Sequence, residues 1–239
     1  MDAIGLICDP DDAVFGRVAE RLSARGFVVR FIEPGEPVDR GDIDDLSALA
    51  NRHLRPASFD ALRYADTTGT PTWNGFFPTT ALASRFVSLT ALEAVGCRVP
   101  EMLTDEPDGE STARARYRWI AALSGTDGQF YQQPVGSGDV TYRYYAVDDG
   151  RETHLRARTL RSELHGEETV FDEVDVDVTI ATSVRELLER FGARALTVDF
   201  VRESGEYYAV DVDPTPSFVG SGMDRILADS LASLTTIGA

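Results

Sequence analysis

ALTVDFV (residues 195–201) and YYAVDVDPTPSF (residues 207–218), separated by the turn Glu203-Ser204-Gly205-Glu206, decide how the rest of the chain is read. Val198, Phe200, Val210 and Val212 mark both stretches as strands with a buried face, and the turn predicts a hairpin over 195–201 and 207–212. Side chains two apart in a strand share a face, so Asp211 and Asp213 lie together. A register that sets Asp199 opposite them brings three carboxylates to one place. Carboxylates on strands this apolar are costly to bury unless something binds them. Like charges so close call for a cation, and Mg²⁺ takes such oxygen ligands. The competing reading makes all three the polar decoration of a solvated face.

Immediately upstream the pattern is also β. Strands are predicted over 130–135, 140–147 and 153–159, joined by the turns GSGD (136–139) and DDGR (148–151). Arg143 lies in the second of these, Arg156 and Arg158 share one face of the third, and Arg161 follows. Paired guanidinium forks suit phosphate oxygens, although pairing with the abundant acids is the plainer use of them. Gly136-Ser137-Gly138-Asp139 reads as a hairpin turn rather than a phosphate cradle. Further on, Ser183 and Glu186 have capping-box spacing, predicting a helix to Phe191 with Gly192 as its stop. An amphipathic helix over 221–234 ends the pattern.

The front of the chain is different. Ala3–Cys8 reads as a buried strand, Ala13–Arg25 as a helix stopped by Gly26, and Phe27–Ile32 as a second strand. Residues 33–45 read as loop, 46–50 as a third strand, and 58–66 as a helix. The segment 69–75 is a short strand and turn, and 83–95 a helix stopped by Gly96. Residues 101–110 form an acidic linker, followed by a helix over 112–124 that carries Arg114, Arg116 and Arg118. The expected fold class is therefore α/β in front and α+β behind. The expected division is an N-terminal α/β domain over 1–100, a linker and helix over 101–128, and a C-terminal lobe over 129–239.

The 239 residues carry 23 basic and 40 acidic side chains, a net charge of −17, with 43% apolar residues. That is enough for a substantial core. It offers no basic surface to displace counterions from nucleic acid, so a nucleic-acid partner is excluded. All 23 basic residues are arginine, and the acids are 24 Asp and 16 Glu. This balance fits a salt-in halophile, where concentrated salt screens self-repulsion. Without lysine there is no Schiff-base chemistry and no P-loop. Cys8 and Cys97 sit apart in apolar stretches and, with only three histidines, make no zinc motif; they read as buried free thiols of a reducing cytoplasm. No apolar run approaches membrane length, so no membrane partner is expected.

In order along the chain these pieces resemble the ATP-grasp superfamily, especially RimK-like carboxylate–amine ligases. The βαβ opening is similar to the family's N-terminal domain, and Thr70-Pro71-Thr72-Trp73-Asn74, followed by a helix and Gly96-Cys97-Arg98-Val99-Pro100, is similar to the stretch leading into the grasp. Phe130–Val135 looks like the hinge that bonds adenine, which gives Gln132, Gln133, Pro134 and Val135 a nucleotide-binding role. TYRYYAVDDGRETHLRARTL (141–160) resembles the arginine-bearing strand pair. The resemblance makes Arg143 and Arg158 catalytic, places Arg156 with them on nucleotide phosphate, and makes Asp199, Asp211 and Asp213 the metal ligands. It implies ATP and Mg²⁺ (or Mn²⁺) as cofactors and a small-molecule or peptide substrate, and leaves room for a homo-oligomer.

Two features depart from the family. It normally supplies lysines to the phosphates, and only 31 residues separate Pro100 from Gln132, so the small nucleotide-clamping subdomain reads as shortened. Two functions follow as expectations: an ATP-dependent carboxylate–amine ligase working through an acyl phosphate, or a non-catalytic relative that binds and regulates. His154 and His165 read as structural, and no general base is assigned.

Overall fold

The computed structural model describes residues 2–103, 115–118, 129–132, 135, 140–162 and 168–236. The chain opens with β1 (Ala3–Ile7), α1 (Ala13–Ser23) and β2 (Val28–Ile32), then α2 (Arg40–Asp44), β3 (Ala48–Asn51) and α3 (Pro56–Thr68). The three strands form a parallel sheet in the order β2-β1-β3. Asp12 starts α1 by accepting the Val14 and Phe15 amides at 2.9 and 3.0 Å, filling two otherwise orphaned donors. The third strand lies slightly later than the sequence reading placed it. The stretch expected to be loop holds α2, which Asp39 caps through the Gly41 amide.

Two helices follow, α4 (Phe76–Ala83) and α5 (Arg85–Ala94). The sequence reading has one helix over 83–95; Ser84 is extended and divides the run in two. Pro78 lies in the first turn of α4, where its missing N–H costs nothing.

A small antiparallel sheet comes next: β4 (Met102–Leu103), β5 (Ala115–Arg118) and β6 (Gln129–Gln132), in the order β4-β6-β5. This corrects the helix expected over 112–124, since Ala115–Arg118 is strand paired with β6. The alternation Ala-Arg-Tyr-Arg has the period of a strand, and pairing across β6 settles it. Arg114, the rest of that expected helix and most of the expected acidic linker lie outside the described residues, as do Gln133, Pro134, the GSGD turn and His165.

The large sheet is built from β7 (Val140–Asp148), β8 (Thr153–Ser162) and β9 (Glu168–Val174), then, after α6 (Val178–Phe191), β10 (Ala195–Glu203) and β11 (Glu206–Asp213); α7 (Asp224–Leu234) follows. It is antiparallel, in the order β11-β10-β7-β8-β9. Ser204 and Gly205 both have positive φ, 51° and 88°, the twist a two-residue type I′ hairpin needs. α6 begins five residues before the expected capping box: Asp177 accepts the Thr179 and Ile180 amides, and Ser183 is buried within the helix. The stripe Ile180, Val184, Leu187 and Leu188 extends ahead of Ser183, and burying all of it selects the earlier cap.

One face of the large sheet packs Tyr144, Ala146, Val198 and Phe200 against α5 and α6. The other packs Tyr145, Val147 and Ala195, with Phe218 and α7, against Phe15 and Trp73 of the front half. Trp73 Nε1 donates to Ser230 Oγ at 2.9 Å, and Asn74, 2% exposed, donates to the Ala195 and Pro214 carbonyls at 2.6 and 2.7 Å. The ends of β10 and β11 are thus fastened to the segment after α3. No helix among the described residues is long and apolar enough to cross a membrane.

Candidate functional site

The register of β10 and β11 sets Asp199 directly opposite Asp211. A bulge follows, because Phe200 pairs with Ala209 and Val210 is the extra residue. Val212 and Ala209 can then both face the helical layer while Asp211 stays on the opposite face. Across β10 lies β7, where Arg143 is the register partner of Asp199 and, on its other side, of Arg158. One face of four adjacent strands therefore presents a row of two carboxylates, Asp211 and Asp199, followed by two guanidinium groups, Arg143 and Arg158.

Asp199 accepts a fork from Arg143, Nε to Oδ1 and Nη2 to Oδ2, both at 2.7 Å. Such a bidentate pair is among the strong hydrogen-bonded arrangements. Asp211 accepts Nη1 of Arg85 at 2.9 Å. Burial pushes the Asp211 carboxyl up to about 6; the Arg85 guanidinium opposes the rise, and Asp199 and Asp213 reinforce it. The side chain nevertheless keeps 46% of its surface open, so solvent screens part of that push. Asp213 accepts the amide and hydroxyl of Thr215 at 2.8 and 3.1 Å, which fixes the turn into Pro214.

These residues line a cavity of about 420 Å³ whose opposite wall comes from the front of the chain. Arg52 and His53 follow β3, at the carboxyl end of a parallel strand, where open α/β sheets place ligands. Arg52 Nη1 donates to the Thr215 carbonyl at 2.9 Å, and Nη2 to Asp12 at 3.3 Å. Asn51 holds the His53 backbone on both sides, accepting its amide and donating to its carbonyl. The His53 imidazole is held below its ordinary value by burial, then by Arg52 and Arg55. A larger cleft, about 720 Å³, lies between α2 and α3 and holds none of the residues singled out in the sequence.

The other expected site residues are more dispersed. Gln132 is buried in β6, and its Oε1 accepts Nε of Arg85 at 3.0 Å, so Arg85 links it to Asp211. Val135 is half-buried in irregular backbone. Arg158 reaches Glu173 at 3.5 Å. Arg156 turns toward the loop before α7, where Nη1 donates to the Ser221 carbonyl at 3.1 Å. Gly222 has a φ of 66° there, and a Cβ on it would stand 2.7 Å from that nitrogen. Among the described residues no three His, Cys, Asp or Glu side chains are grouped as a metal site. The donors themselves are hard oxygens and suit Mg²⁺ or Mn²⁺ in kind.

Sequence reasoning missed Arg85, Arg52 and His53. Arg85 carried a signal: a cation in the first turn of a helix opposes the macrodipole, so it needs another reason to be there.

No protein-family model and no curated protein matches the sequence. Solved structures do match. The ATP-grasp ligase PsnB complexed with minimal precursor superposes with a TM-score of 0.71 at 17% identity, over 98% of this chain and 99% of that one. The chain has the ATP-grasp fold. The ATP-grasp RimK domain protein of Sphaerobacter thermophilus DSM 20745 gives 0.68 at 17% identity, over 98% and 99% of the two chains. The D-alanine–D-alanine ligase of Bacillus anthracis, complexed with ATP, gives 0.62 at 13%, over 99% and 97%. Within the ATP-grasp fold, the small sheet β4-β6-β5 fills the stretch where the sequence reading expected a shortened clamp.

Proposed function

We propose that this ATP-grasp chain binds ATP with Mg²⁺ or Mn²⁺ and joins a carboxylate to an amine. The supporting observation is the single cavity that holds Asp199, Asp211 and Asp213 beside Arg143, with Arg52 and His53 facing them. Asp199, Asp211 and Asp213 would hold the cation, which neutralises phosphate charge when bound. Arg143, with Arg158 across from it and Arg85 bonded to Asp211, would supply positive charge for the transferring phosphoryl group. Gln132, Gln133, Pro134 and Val135 are proposed for adenine, and Arg156 for support of the phosphate side. The carboxylate attacks the γ-phosphate, the bond to the β-phosphate breaks and ADP leaves, and the amine then displaces inorganic phosphate from the acyl phosphate. His53, whose imidazole burial and the neighbouring arginines hold below its ordinary value, would take the amine proton.

PsnB and MdnC are solved with precursor peptides bound, and a peptide carboxylate is the substrate class we favour here. The free thiols Cys8 and Cys97 and the acid excess suit a salt-rich cytoplasm. The proposed organisation keeps residues 1–100 and 129–239 as the two walls of the cavity.

Incubating the protein with ATP, Mg²⁺, hydroxylamine and a panel of Asp- and Glu-containing peptides tests this. Mg²⁺-dependent ADP release with hydroxamate formation is expected, lost in Arg143→Met. ADP release without hydroxamate on any carboxylate would defeat the ligase assignment. A second reading, a non-catalytic nucleotide-binding relative, draws on the same ion pairs: Asp199 and Asp211 are each already neutralised by an arginine.

A further inference from the structure

We propose that Arg85 is an internal counter-ion of Asp211, one that a divalent cation must displace before it can bind. The inference rests on the reading of Asp199, Asp211 and Asp213 as cation ligands. Three observations carry it. First, Arg85 is the opening residue of α5, where the helix field disfavours a cation, so its place is kept by its contacts. Second, those contacts join three elements: from α5, Nη1 reaches Asp211 of β11 at 2.9 Å and Nε reaches Gln132 of β6 at 3.0 Å. Third, the partners of the three carboxylates differ in kind. Asp199 is gripped by Arg143 from the neighbouring strand of the same sheet, and Asp213 by the backbone and hydroxyl of Thr215. Asp211 takes the Arg85 bond from a long side chain rooted in a helix outside the sheet, an arrangement readily exchanged.

A cation at Asp211 and the Arg85 guanidinium compete for the same carboxylate. Displacing Arg85 from Asp211 changes the group that holds Gln132, so cation occupancy and the position of the small sheet become linked, and the linkage runs in both directions.

Mn²⁺ is the probe, and its binding to the full chain is measured by electron paramagnetic resonance, with and without ADP. Arg85→Gln should bind Mn²⁺ without nucleotide about tenfold more tightly than wild type. Arg85→Lys, which keeps the charge, should stay near wild type. Arg98→Gln removes the same charge from an exposed pair with Glu206 and should leave Mn²⁺ affinity unchanged. Thermal melts of each variant establish that it is folded, and Arg85→Lys keeps the test open if Arg85→Gln is not. Equal or weaker Mn²⁺ binding by Arg85→Gln, or equal tightening by Arg98→Gln, overturns the proposal. If both wild type and Arg85→Gln bind Mn²⁺ with ADP but show no difference without it, the counter-ion role alone fails. If neither binds Mn²⁺ even with ADP, the cation-site reading fails and this proposal with it.

Discussion

Asn74 donates to the Pro214 carbonyl at 2.7 Å, and this one buried amide ties the segment after α3 to the end of the strand that carries Asp211 and Asp213. The same side chain donates to the Ala195 carbonyl and accepts the amides of Arg194 and Ala195 at 2.7 and 3.2 Å. Truncation leaves buried backbone groups without partners, each costing about 1–3 kcal/mol. Asn74→Ala should therefore lose about 3 kcal/mol in urea unfolding. A loss below about 1 kcal/mol would show that water replaces the amide and that the fastening is not structural.

The Arg143–Asp199 fork makes a second stability prediction. Both side chains are mostly buried, 16% and 15% exposed, so removing the guanidinium takes a charge-assisted fork from a mostly buried carboxylate. Arg143→Met should cost about 3 kcal/mol in the same assay. Arg143→Lys should recover part of that, since one ammonium can serve one oxygen but not fork both. Equal stability of all three proteins would mean that Asp199 is satisfied by solvent.

The ionisation of Asp211 sets a pH dependence whose sign can be worked out. Its folded value of about 6 lies above its ordinary 3.8. The group therefore favours the folded state below about pH 4, and that contribution is lost as pH rises through 6. Asn imitates the protonated form and still accepts the Arg85 bond. Asp211→Asn should match or exceed the wild-type Tm at pH 7.5, by about 2 °C, with the advantage shrinking toward pH 4.5. A variant less stable than wild type at pH 7.5 would reverse the assigned sign.

A net charge of −17 makes self-repulsion a general term in stability. The Debye length falls from about 10 Å at 0.1 M salt to about 3 Å at 1 M. The Tm should accordingly rise by about 5 °C or more between 0.1 and 2 M KCl. A flat or falling curve would separate the acid excess from any adaptation to salt.

What could be read from the sequence follows from the range of the interactions involved. The hairpin was legible because a two-residue turn at Ser204-Gly205 fixes the register near its tip, but that register alone sets Asp199 opposite Val210; the bulge at Val210, which no local signal announces, brings Asp211 opposite instead. α1 and its Asp12 cap are equally local. Ser183 illustrates the limit: it has the spacing of a cap, and only packing of Ile180 against the sheet shows that the helix starts earlier. The strand at Ala115–Arg118 depends on pairing with β6, and β9 (Glu168–Val174) is an acidic stretch whose strand character comes from its place beside β8. Arg52 and His53 reach the cavity only because the front of the chain packs across the large sheet.

The central claim is tested most directly by calorimetric titration of wild type and Asp211→Asn with ADP in molar KCl, with and without Mg²⁺. The account predicts Mg²⁺-dependent binding to wild type that is lost or weakened at least about tenfold in the variant, a difference of about 1.4 kcal/mol. Mg²⁺-dependent binding of equal strength in both proteins, or no heat from wild type under any of these conditions, would contradict it.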